Sequence, residues 1–275
     1  MNFSLRFLCL FLLAIAFMQA KLKIAVSIEP QKYFIQQIAG DLADVYVMVP
    51  NAKNPEQYEP LLSQMKDLRN CTLYFGVGLE FEHKWQQRFL DSAKNMQFVS
   101  LFDENHSHNS PHYHHHDNHI WLSVKLAKKQ ANTIYEHLSK LDPINQKIYQ
   151  RNLETFLHSI NELDHQIKEI FKKPNAKKTF LVFHPAFEYL AHEYGLEELS
   201  IEVMNKEVKI KHMQSIYQAI KEKKLKVIYA EPQFSQKQVQ LIAKEYNLKI
   251  SFLDPFAYDW KNNLLEIAKK IAYEY

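Results

Sequence analysis

Cysteine and glycine are both scarce in this chain, and each scarcity excludes something. Two cysteines, Cys9 and Cys71, stand in 275 residues; Cys9 lies inside the apolar N-terminal run, so removal of that run leaves Cys71 alone and no internal disulfide. The four glycines, Gly40, Gly76, Gly78 and Gly195, supply no phosphate-cradling loop. Charge of one sign is lacking too. The formal balance is +3 with acidic and basic residues intermixed, which leaves no basic stripe and speaks against nucleic acid and nucleotides as partners. Beyond the N-terminus no apolar run is long enough to cross a membrane. The remaining composition is 47% hydrophobic, ordinary for one large or two ordinary domains stabilised by packing.

The N-terminus reads MNFSLR and then FLCLFLLAIAFMQA, a short positive segment followed by an apolar run of about eleven residues that ends in small-residue chemistry at Ala20. This is the pattern of a cleaved secretory signal peptide over residues 1–20. The run is too short to span a bilayer of about 30 Å as a helix. Cys9 sits within it rather than just after it, so a lipidated N-terminal cysteine is not indicated.

The mature chain is organised around Asp142 to Phe171, which reads as one uninterrupted helix. Tyr149, Leu153, Phe156, Ile160, Leu163, Ile167 and Ile170 are spaced by alternating fours and threes and form one stripe. Asp142 and Pro143 mark its start, Lys172-Lys173-Pro174 its end. On each side of it, strands alternate with helices: KLKIAVS, VYVMVP, TLYFGV and the strand Met96 to Leu101 before, then KTFLVF, Leu199 to Val203, Lys226 to Tyr229 and Lys249 to Leu253 after. The two halves look like related units. They imply an α/β fold of two lobes with mainly parallel sheets, 21–141 and 173–275, joined by a linking helix at 142–172. In such sheets ligands bind at the carboxyl ends of strands, so the cleft between the lobes is the expected site.

Two features carry chemistry. The stretch DENHSHNSPHYHHHDNH holds seven of the fourteen histidines, His106, His108, His112, His114, His115, His116 and His119. Its residues 103–118 contain no aliphatic side chain to dock them, so they read as a surface loop whose neutral imidazoles bind Zn²⁺, Cu²⁺ or Ni²⁺. The second feature is a set of residues where strands end. His184, Glu231 and Asp254 follow strands of the second half, while His119 opens the return to structure in the first. Two imidazoles with one or two carboxylates converging in a cleft make a first-row metal site.

The segments NPEQYEP, YFGVGLEFE, DNHIWLS, LDPINQKIYQRNLETF, FHPAFEYLAHEYGL, YAEPQFS and FLDPF stand in the order and spacing of the cluster A-I metal-binding proteins of bacterial ABC importers. The chain resembles that family over essentially its whole mature length, and the histidine loop before DNHIW resembles its periplasmic zinc-binding branch. The resemblance implies two (β/α)4 lobes joined by one long backbone helix, with the metal in the interlobe cleft. It implies capture of Zn²⁺ by a monomeric periplasmic binding protein, not an enzyme, that delivers the ion to an inner-membrane ABC permease. A manganese-binding protein of the same importer class is the alternative. His119, His184 and Asp254 match family ligand positions. The family's first ligand, the histidine of a P-H-x-Y-E-P pattern, is replaced by Glu56 in Pro55-Glu56-Gln57-Tyr58-Glu59-Pro60. Either Glu56 is itself a ligand, or three protein ligands leave a position for water or a loop histidine. Glu231 matches a family glutamate near the site and would at most orient a ligand.

A secreted zinc hydrolase would need an open coordination position beside a general base, and neither HExxH nor a nucleophile elbow occurs in the chain. The leader makes a direct prediction: exported protein begins at or near Lys21, as read by N-terminal sequencing. An intact N-terminus on cytoplasmic protein would overturn it.

Overall fold

The computed structural model describes residues 20–51, 53–102, 117–202, 210–234 and 236–274. The apolar leader up to residue 19 and the loop histidines between residues 103 and 116 lie outside them. No helix among the described residues is long and apolar enough to cross a membrane.

Two four-stranded sheets of identical order form the framework. The first comprises β1 (Leu22–Val26), β2 (Ala43–Val47), β3 (Leu73–Gly76) and β4 (Gln97–Ser100), ordered β2-β1-β3-β4. The second comprises β5 (Thr179–Val182), β6 (Glu197–Ser200), β7 (Val227–Ala230) and β8 (Lys249–Phe252), ordered β6-β5-β7-β8. Every pairing in both is parallel. Parallel strands need crossovers, and these are helices. The first lobe has α1 (Glu29–Ala39), α2 (Leu62–Leu68) and α3 (Glu80–Ser92), followed by α4 (Val124–Leu141). The second has α6 (Glu188–Tyr194), α7 (Ile210–Glu222), α8 (Gln236–Tyr246) and α9 (Trp260–Tyr273). Central strands covered on both faces read as continuous apolar runs, which is why Ile24, Ala25 and Val26 are all fully buried.

Between the lobes runs α5 (Gln146–Lys172). At 27 residues it is roughly 40 Å long. Its seven stripe residues are all buried, joined by Phe171. The start differs from the sequence expectation: Pro143–Asn145 forms a separate 3-10 turn, and α5 itself begins at Gln146. The Asp142 carboxylate does not cap the free amides. It accepts from Asn145 Nδ2 and Tyr149 Oη, both at 2.7 Å, tying the turn onto the first turn of α5.

One continuous apolar core joins the first lobe, α4, α5, α9 and the inner face of the second sheet. A smaller core under α7 and α8 contains Leu181, Phe183, Ile228 and Val239. The join is aromatic. Trp260 of α9 meets Phe34 of α1 edge-to-face at 5.0 Å and Phe156 of α5 at 6.4 Å. Its indole Nε1 donates to Trp121 O at 2.6 Å, while Trp121 Nε1 donates to Pro255 O at 2.7 Å. Glu193, from the second lobe, accepts from Ser123 Oγ and from Val124 N at 3.1 Å, at the first turn of α4. A carboxylate there satisfies amides that the helix leaves unpaired and complements its dipole.

Trp260→Ala should therefore cost about 3–5 kcal/mol of unfolding free energy, measured by urea denaturation. A loss below about 1 kcal/mol would show that the lobes are not held together through this side chain.

Candidate metal centre

His119 and His184 come from opposite lobes, and both are buried. DNHIW positions the first. Asp117 Oδ1 accepts from the His119 backbone amide at 2.9 Å and lies 2.7 Å from its ring Nδ1. Asn118 Nδ2 donates to the carbonyl of Gly78, whose φ of 83° places it in the left-handed region that glycine tolerates. From the second lobe, Tyr189 Oη donates to Asp117 O at 3.1 Å. The second imidazole follows β5. Its Nδ1 lies 3.1 Å from Glu202 Oε2, and the Phe234 ring stacks on it at 4.3 Å. Glu198 fixes the next stretch by accepting from Ala186 N and Phe187 N, each at 3.1 Å.

The consequence is the same for both rings. A carboxylate holds Nδ1, so Nε2 is the nitrogen each ring can present to an ion, the usual orientation of metal-ligating histidines. The rings face one another with centroids 5.7 Å apart. Glu56, half-buried on the loop after β2, completes a group in which one donor atom each from Glu56, His119 and His184 lie within 4.8 Å of one another. His184 Nε2 lies 3.1 Å from Glu56 Oε1, an ion-pair distance, yet off the line of a hydrogen bond. That buried nitrogen has no hydrogen-bond partner among the described residues. A divalent cation between the two would give that nitrogen and the carboxylate oxygen a shared partner.

Charge in the site is unbalanced in a way that suits a cation. Burial alone would push the His184 imidazole down, but the Glu202 and Glu56 carboxylates beside it outweigh burial and raise it to about 10. Burial would raise the Glu56 carboxyl, yet the contact with His184 and the pull of His119 hold it below its ordinary value. Glu231 is almost fully buried nearby, and burial pushes it up to about 8 against the pull of His184. Its Oε2 has no hydrogen-bond partner among the described residues. Protons thus balance carboxylates that a bound ion would balance instead.

The four residues expected from the sequence are therefore not all together. Glu56, His119 and His184 converge. Asp254 stands outside that group, its Oδ1 accepting from Gln233 Nε2 at 2.9 Å and from Phe256 N at 3.0 Å. Sequence reasoning missed Asp117, Glu198 and Glu202. Asp117 was visible in the DNH triplet, two residues from the histidine. Glu202 was hidden because the strand was expected at Leu199 to Val203, which would bury it in the sheet; β6 ends at Ser200, and Glu202 is free to reach His184 from the carboxyl end.

A family profile described as ZnuA, zinc-uptake complex component A, periplasmic, matches residues 24–272. A crystal structure of ZnuA superposes with a TM-score of 0.83 at 36% identity, covering 91% of this chain and 98% of that one. The high-affinity zinc uptake system protein ZnuA of Bacillus subtilis is 28% identical over 251 residues, 85% of this chain and 78% of its own length. The protein of the same name from Yersinia pestis is 28% identical over 274 residues, covering 89% and 86% respectively.

If Asp117 fixes the His119 ring, Asp117→Asn should weaken binding of a divalent ion by about 10- to 100-fold, and Glu202→Gln should do the same through His184. Isothermal titration reads both; unchanged affinity in either variant would remove that carboxylate from the site.

Proposed function

The chain belongs to the ZnuA family of periplasmic zinc-uptake components, and on that premise we propose that it captures Zn²⁺ between its lobes and delivers it to an inner-membrane ABC permease. The observation that carries this reading is the convergence of Glu56, His119 and His184, with both Nδ1 atoms held by carboxylates. Two imidazole nitrogens and a carboxylate oxygen suit Zn²⁺, whose bonds to such donors are about 2.0 to 2.2 Å long. Asp254 supplies the fourth donor in this proposal. It is a function of binding and delivery, with no catalytic step.

Manganese is the second reading, since replacing a third imidazole by Glu56 hardens the donor set toward what Mn²⁺ uses. Zinc is favoured on two grounds. It binds such N/O sites more tightly than manganese, and a four-donor tetrahedral shell is its own geometry, whereas O-rich octahedral shells suit Mn²⁺. The same proposal has residues 1–20 removed on export, the monomeric protein working in the periplasm as lobes 21–141 and 173–275 about the helix 142–172, and loop 103–118 raising the local metal concentration near the mouth.

Competition with a chelator tests the assignment. One tight Zn²⁺ should bind, more tightly than Mn²⁺. His184→Ala should weaken it about a hundredfold or more, a quarter share of typical structural-zinc binding, and Glu56→Ala less, because water can replace a carboxylate donor whereas one of only two nitrogens is lost in the other variant. Tighter Mn²⁺ binding, or a Glu56 variant weaker than the His184 variant, would overturn it.

A further inference from the structure

Asp254 stands outside the three-donor cluster, and its carboxylate is engaged by groups with no part in the ligand set. Its Oδ1 takes two hydrogen bonds at once, from Gln233 Nε2 at 2.9 Å and from Phe256 N at 3.0 Å. The second belongs to the local turn after β8. The first reaches across from the loop after β7, 21 residues away, and that loop is itself fixed. Gln236 Nε2 donates to the carbonyls of Glu231 and Phe234, both at 3.2 Å, and Phe234 is stacked on the His184 ring. The Gln233 amide is thus held in place by the same loop that packs against a ligand.

Two further facts bear on this amide. Its Oε1 is buried without a hydrogen-bond partner among the described residues, and its Nε2 donates to Asp254. Rotating the amide by half a turn would set Oε1 against the carboxylate, which is repulsive. Gln233 and Phe256 also line a narrow interlobe crevice whose other wall includes Ile28, Val49 and Pro55, the residue before Glu56.

Resting on the zinc-capture reading above, we propose that Gln233 is a positioning residue that parks Asp254 outside the coordination cluster, making the fourth ligand exchangeable. For Asp254 Oδ1 to join the ion, the Gln233 bond must break, and the amide, whose Oε1 is already buried without a partner among the described residues, then gives up its hydrogen bond to the carboxylate. That penalty opposes the four-donor state and lowers affinity. It favours the three-donor state from which the ion leaves. A capture protein that must also release its cargo gains a built-in competitor for one ligand, located next to the cleft.

The test is a double-mutant cycle with full-length mature protein, zinc and a competing chelator. Gln233→Met keeps the side chain's length and removes the donor. It should bind Zn²⁺ about tenfold more tightly, the effect of removing one hydrogen bond to a charged group, and release it more slowly. With Co²⁺ in place of zinc, its visible spectrum should shift toward a fully protein-donated four-coordinate site. In an Asp254→Ala background the same substitution should change nothing. Gln233→Asn, whose amide is too short to reach, guards against a packing effect of methionine and should tighten binding likewise. Unchanged or weaker zinc binding in both variants, or equal tightening without the Asp254 carboxylate, would overturn the proposal. Unaltered zinc affinity in His184→Ala would instead overturn the capture reading itself, a result that no Gln233 variant can produce.

Discussion

Two imidazoles from opposite lobes must present the same nitrogen to one point, and the arrangement of the whole molecule depends on meeting that condition. The tautomer and orientation of each ring are set by a carboxylate on Nδ1, Asp117 for His119 and Glu202 for His184. The separation of the rings is set elsewhere, by the core that fuses the lobes. Trp121 shows how closely the two tasks are linked: two residues from His119, it exchanges hydrogen bonds with Pro255 and Trp260 of the other lobe. A shift of the lobes would move the His119 backbone with it.

A fused core of this kind restricts large closure. The aromatic contacts among Phe34, Phe156 and Trp260 bury the joint between α1, α5 and α9, and Glu193 ties the start of α4 to the second lobe. Interiors packed to crystal-like density do not bend continuously. Adjustment on binding is then expected in the loops at the strand ends and in side chains such as Asp254, rather than in a hinge. The separate small core under α7 and α8 is consistent with this, because it lies behind the loops carrying Glu202, Glu231 and Gln233.

Electrostatics explain how several acidic side chains can cluster around one buried imidazole. Glu56, Glu202 and Glu231 surround one buried imidazole, and the proton on His184 compensates part of their charge. Burial pushes the Glu231 carboxyl up to about 8. The cost of desolvating these groups is thus lowered by protonation, at the expense of protons that a divalent ion must displace.

Much of this could be read in the one-dimensional pattern. The buried stripe of α5, the alternation of strands and helices about it, and the placement of His184 and His119 at re-entry points follow from local periodicity and from the rule that parallel sheets bind at their carboxyl ends. Helix starts were less legible: α5 is preceded by a 3-10 turn instead of beginning at Asp142 and Pro143, because first turns are set by caps and side-chain contacts that leave little periodic signal. Residue types and their positions pointed to a metal site of imidazole and carboxylate, and the family resemblance singled out Glu56 as the variant position. Only the tertiary structure decided which of these residues meet. Glu202 became a partner of His184 because β6 ends two residues before it, and Asp254 stands outside the three-donor group with its Oδ1 bonded to Gln233, 21 positions earlier. Contacts between residues far apart in the chain depend on loop geometry and on the relative placement of packed elements, and neither leaves a periodic trace in sequence.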